Sequence, residues 1–182
     1  MKTIAYTILF LLILTISPLY AQLSNAKAVT TGPANGTLII IGGGEVGEDL
    51  TKTFIQLGGG LDVPIVIIPT ADGQEKYDEN FGEAGILRKL GATNVKILHT
   101  TDRNVANSQA FVEPLVNAKL VWFSGGRQWR LVDAYKNTLT EKMLWKVLEN
   151  GGVIGGSSAG ATIQGSFLVR GDTKNNQIMM GD

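Results

Sequence analysis

The sequence predicts a doubly wound α/β fold built on a mostly parallel sheet. Three observations predict it. Five short apolar runs recur, at Thr37–Ile41, Pro64–Ile68, Val95–Leu98, Leu120–Phe123 and Gly152–Ile154. Several are β-branched and continuous rather than alternating, as suits strands buried on both faces. Stretches of helical spacing lie between them, and three glycine clusters each follow a run.

The elements justify themselves in order. Met1-Lys2 opens the chain with one positive charge, and Ile4 to Ile16 is apolar, broken only by Thr and Tyr. Pro18-Leu19-Tyr20-Ala21 then places small or apolar residues before a cut at Gln22, the layout of a secretory signal peptide over residues 1–21. The alternative, a spanning anchor, needs roughly 20 apolar residues, more than this run supplies. The mature protein is therefore expected to be secreted or periplasmic, with no membrane attachment after cleavage. Residues 22–36 are small and polar, with Gly32-Pro33 and Asn35-Gly36, and read as a loose lead-in. The α/β domain occupies 37–182. Val46 to Leu57 is its first expected helix, with Leu50, Phe54 and Leu57 on one face. Lys76 to Leu90 is the second, stopped by Gly91. Gln128 to Tyr135 and Leu139 to Leu148 follow, the last stopped by Asn150-Gly151.

Composition excludes several classes of function. Lys plus Arg and Asp plus Glu are both 16, so the net charge is zero. A nucleic-acid or membrane-surface binder would carry a basic excess. One His and no Cys cannot build a zinc site of the usual kind, and neither a metal nor a cofactor is expected. Without Cys the chain has no disulfide and must stand on its core.

The glycine clusters carry the chemistry. Gly42-Gly43-Gly44-Glu45-Val46-Gly47 satisfies the G-x-G-x-x-G dinucleotide fingerprint, with Asp62 about 20 residues on. Asp62, however, precedes the second strand, whereas a ribose-binding acid belongs at that strand's end, where Asp72 comes later than the usual spacing. The other reading is a tight turn where backbone approaches a substrate. Phe123-Ser124-Gly125-Gly126-Arg127-Gln128 leaves backbone N–H groups bare beyond a strand, suited to an oxyanion or carboxylate, or else makes a turn with no ligand. Gly156-Ser157-Ser158-Ala159-Gly160 is G-x-S-x-G between a strand and a helix, a nucleophile elbow. A strained turn lifts the serine hydroxyl clear of the sheet, and its neighbours must be small because strand and helix close on each other. The competing reading is a glycine-rich turn whose serine caps the helix.

Together the three clusters, in this order and spacing, resemble the cyanophycinase and dipeptidase E family of serine peptidases. The resemblance runs from the first strand to the end of the chain. It implies a fold related to the class I glutamine amidotransferases, a flavodoxin-like three-layer sandwich. It also implies a serine nucleophile, here Ser158, with a histidine base and an acidic partner. The oxyanion hole it implies is Gly126 with Ala159. Gln128 would face the substrate, with Gly125 and Glu45 beside it. The implied substrates are peptides, including ones with aspartate-derived residues.

The histidine does not fit the pattern. The family places it after the serine, yet the one histidine, His99, stands before it, at the end of the third strand. In either common doubly wound order that strand lies at least two spacings from the fifth, roughly 10 Å, too far for proton transfer. His99 reads either as a displaced base or, better, as a satisfied polar residue at a strand end. The chain is expected to be the N-terminal part of a longer protein that supplies the base, and inert by itself. Asp172 is the candidate acidic partner, with Asp182 as an outside candidate and a turn aspartate as the plain alternative.

Overall fold

A computed structural model describes residues 33–168. The expected signal peptide, most of the lead-in, Asp172 and Asp182 lie outside the described residues. Among those described, five strands form one parallel sheet: β1 (Thr37–Ile41), β2 (Ile65–Ile68), β3 (Val95–Ile97), β4 (Leu120–Phe123) and β5 (Val153–Ser157). Helix α1 (Glu48–Gly58) follows β1 and α2 (Glu83–Lys89) follows β2. Then come α3 (Arg103–Ala106) and α4 (Gln109–Val116) after β3, α5 (Gln128–Tyr135) and α6 (Leu139–Glu149) after β4, and α7 (Ala159–Thr162) after β5. The strand order is β1-β5-β4-β2-β3.

The continuous apolar runs are explained by two cores, one on each face. In β2, Ile65 and Ile67 pack with Phe54 and Leu87 of α1 and α2. Val66 and Ile68 turn the other way, against Leu115, Leu131, Tyr135 and Val147. All four β2 residues are buried, as are all of β4. Each such aliphatic side chain contributes about 1.5–3 kcal/mol by leaving water. The spacing therefore gave the right layers: helices on both faces of a parallel sheet.

Four expectations need correction. The buried face of α1 is Thr51, Phe54 and Ile55, while Leu50 and Leu57 of the expected face are exposed. Strand β5 does not end at Ile154 but continues through Gly155, Gly156 and Ser157, paired with Ile39, Ile40 and Ile41 of β1. Glycine gives no apolar signal, yet here it is required. A Cβ on Gly155 would stand 2.6 Å from the Trp122 ring. The second helix covers only Glu83–Lys89, not Lys76 to Leu90. Gly82 has φ 50, and the upstream residues instead fold around Tyr77, whose hydroxyl donates to the Pro69 carbonyl at 3.0 Å. Finally, α3 and α4 are helices where none was expected. Their caps were legible: the Asp102 side chain accepts from Asn104 N at 2.8 Å, and Ser108 Oγ from Phe111 N at 3.3 Å. Pro114 inside α4 and the four-residue length of α3 broke the helical pattern.

Candidate active site

The strand order puts β5 between β1 and β4. The elbow after β5 is therefore flanked by the two other glycine clusters, one from each neighbour. All three lie at the carboxyl edge of the sheet, where α/β folds collect their ligands.

Ser158 stands at this edge with φ 53 and ψ −114, a conformation that L residues rarely adopt. The turn closes because its neighbours are small. A Cβ on Gly156 would lie 2.4 Å from the Gly160 carbonyl oxygen, and one on Gly160 would lie 2.1 Å from that of Phe123. Ala159 and Ala161 are buried in the same junction. Ser158 is exposed and occupies the cap position of α7, but its side chain makes no capping hydrogen bond. The hydroxyl thus has no structural duty in this turn, which removes the capping explanation for it.

The glycine pair sits against this serine. A Cβ on Gly125 would be 3.6 Å from Ser158 Cβ. The turn is held at its ends, where Ser124 N donates to Ile68 O at 3.2 Å and Arg127 N to Ala71 O at 2.8 Å. The N–H groups of Gly125 and Gly126 between them have no acceptor among the described residues, and neither has the N–H of Ala159. Gly126 has φ +133 and passes so close to Ala71 that a Cβ would lie 2.1 Å from its oxygen. Donors without acceptors beside an uncommitted hydroxyl are the parts needed to hold a developing oxyanion.

The remaining expected residues are placed as follows. Glu45 is exposed in the loop after β1, and Gln128 opens α5 two residues after Gly126. The Gly42–Gly47 loop is open, with no atom within 4 Å of a Cβ on Gly42, Gly43, Gly44 or Gly47. Asp62 precedes β2 and accepts from Thr93 Oγ1 at 3.2 Å, so it is at the opposite end of the strands from the loop. Among the described residues no group of three or more His, Cys, Asp or Glu could hold a metal. None of their helices is long and apolar enough to cross a membrane.

His99 is not brought to Ser158. Strands β3 and β5 are separated by β2 and β4, three spacings or about 14 Å. The ring is instead engaged where it stands. Nδ1 is 2.9 Å from Thr70 Oγ1, which is 2.6 Å from Tyr135 Oη, and the ring meets Tyr77 edge to face at 4.8 Å. Burial lowers the His99 pKa and raises that of Tyr135.

Sequence reasoning missed Glu83, which accepts from the Ser124 hydroxyl at 2.7 Å, and Arg130, which donates to the carbonyls of Ala71 and Asp72 at 2.9 and 2.6 Å. Both brace the site from far along the chain, and no local pattern announces such pairs.

Comparison with known proteins identifies the family. The profile of peptidase family S51 matches residues 25–179. The chain belongs to peptidase family S51. It is 32% identical over 146 residues to the cyanophycinase of Synechococcus elongatus, covering 77% of this chain and 44% of that protein. It is 28% identical over 144 residues to that of Geminocystis herdmanii, covering 74% and 51%. The chain thus spans about half or less of the length of these relatives. Among solved structures, a peptidase from an acI-B1 Actinobacterium superposes with a TM-score of 0.62 at 29% identity, covering 75% of this chain and 59% of that one. The family is one of serine peptidases, as the three clusters implied, and the fold, a parallel sheet flanked by helices, matches that of the solved peptidase.

Proposed function

We propose that this chain carries the nucleophile and oxyanion side of a secreted, cyanophycinase-like serine peptidase. Ser158 Oγ attacks the carbonyl carbon of a peptide bond. The N–H groups of Gly126 and Ala159 take the charge that develops on the carbonyl oxygen. Gln128, Gly125 and Glu45 border the bound peptide. A histidine outside these 182 residues takes the Ser158 proton and then passes it to the leaving amine, with Asp172 orienting the ring. The substrate class is peptides with aspartate-derived residues, in keeping with the cyanophycinase relatives.

The observation that carries the reading is the backbone of Ser158. A non-glycine residue at φ 53 whose hydroxyl caps nothing is strained to no structural end. The test is fluorophosphonate labelling of the full-length protein with Ser158→Ala as control. Labelling lost in the variant supports the assignment, and equal labelling of both sinks it. Secretion is checked by N-terminal sequencing of the exported protein, which begins at Gln22 if residues 1–21 are a cleaved signal.

One observation favours a second reading, a binding protein that keeps the elbow without a base. The only histidine of the chain is three strand spacings from Ser158. A full-length protein with a histidine after Asp182 that labels at Ser158 excludes it.

A further inference from the structure

Besides the bond from Ser124 N to Ile68 O, the Gly125–Gly126 turn is braced by one stretch of chain, residues 71–83. At one end Ala71 accepts from Arg127 N at 2.8 Å and lies directly against Gly126. At the other end Glu83, the first residue of α2, accepts from Ser124 Oγ at 2.7 Å. Ser124 is only 5% exposed, so its hydroxyl has little recourse to water. Glu83 is itself fixed. Its neighbours Ala84 and Gly85 are buried, and Gly85 packs so closely on Asn80 that a Cβ would lie 2.4 Å from the Asn80 oxygen. The carboxylate thus reaches the turn from a rigid base, across 41 residues of sequence.

We propose that Glu83 is a positioning residue which, through Ser124, aims the Gly125–Gly126 turn at the reacting carbonyl beside Ser158. The inference rests on the serine-peptidase reading of the same site. Glu83 touches neither substrate nor nucleophile. Its effect is on direction. An N–H that is a fraction of an ångström out of place still permits binding, but it fails to follow the oxygen as charge develops. Loss of the brace should therefore lower the rate of the bond-forming step and leave binding alone.

The test uses the full-length protein and a fluorophosphonate probe, with the limiting labelling rate separated from the probe concentration that gives half of it. Glu83→Ala is expected to lower the limiting rate about tenfold with the half-saturating concentration unchanged. Glu83→Gln keeps an oxygen for the Ser124 hydroxyl and is expected to stay within about twofold of the parent. Ser124→Ala cuts the same link from the other side, and with Glu83→Ala it should be no slower than either alone. The last comparison also serves if Glu83→Ala fails to fold, because Ser124→Ala by itself must then show the tenfold fall. A parental limiting rate in Glu83→Ala or Ser124→Ala overturns the proposal. So does a Glu83→Gln as slow as Glu83→Ala. Ser158→Ala separates the two claims. If it still labels, the peptidase reading has failed; if it is silent while Glu83→Ala labels at the parental rate, only the role of Glu83 has.

Discussion

The amide of Ser158 donates to the carbonyl of Ile41 at 2.9 Å. This bond carries the β1–β5 ladder one step past Ser157, its last paired residue. On the other side the Ser158 carbonyl accepts from Ala161 N and Thr162 N, both at 3.0 Å. Backbone from a neighbouring strand and from α7 therefore grips a residue whose conformation costs on the order of 1–3 kcal/mol. The side chain takes no part in the grip, which leaves the hydroxyl available for chemistry.

The strain predicts an order of stability among variants at this position. Ser158→Ala keeps the unfavourable φ, because alanine resists it as serine does. Ser158→Gly relieves it, since glycine has no Cβ to clash. Both should lose fluorophosphonate labelling, yet Ser158→Gly should be more stable than Ser158→Ala by about 1 kcal/mol in denaturant unfolding. Equal midpoints would mean that the turn is not strained.

The glycines of the three clusters should separate into two kinds. A Cβ added at Gly156 or Gly160 would meet backbone oxygen at 2.4 or 2.1 Å, so alanine at Gly156 forces β5 and α7 apart and alanine at Gly160 forces α7 away from β4. The expected cost is about 3 kcal/mol or more, read as a lowered melting temperature. Gly42 has open space and an ordinary φ, and Gly42→Ala should change stability by less than about 0.5 kcal/mol. The same loop tests the dinucleotide reading. Titration with NAD should show no saturable binding; binding that Gly44→Val abolishes would restore that reading.

How far the sequence was legible follows from the range of the interactions. Runs such as Ile65–Ile68 declared a buried parallel strand because both of its faces meet apolar helices. The elbow was legible because its chemistry is compressed into Gly156 to Gly160. What could not be read was order across the sheet. Local pattern does not reveal that β5 lies between β1 and β4, and that placement is what brings Gly125 against Ser158. The Glu83 brace and the Thr70–Tyr135 link were hidden for the same reason, being pairs 41 and 65 residues apart. Gly155 was misread because a strand residue chosen to clear the Trp122 ring carries no apolar mark.

His99 should behave as a half-buried structural histidine, with a pH signature of its own. Thr100 N donates to Tyr135 Oη at 3.2 Å. All partners are satisfied when Tyr135 donates to Thr70 and Thr70 donates to Nδ1 of a neutral His99. Protonating Nδ1 would reverse that chain and leave the Tyr135 proton without an acceptor among these partners. Burial already sets the folded pKa below the ordinary 6.5. The sign follows from linkage. Above 6.5 both folded and unfolded chains hold the ring neutral, so it contributes no pH dependence. As pH falls below 6.5 the unfolded chain binds the proton first, and stability declines until the lower folded pKa is passed. Unfolding midpoints measured downward from pH 7 should show this decline, and His99→Gln should flatten it. At pH 7 the same variant of the full-length protein should label at Ser158 within about twofold of the parent, because a ring about 14 Å away cannot take the serine proton. If His99→Gln abolished labelling instead, His99 would be the base, and the distance implied by the order β1-β5-β4-β2-β3 would have to close in the working enzyme.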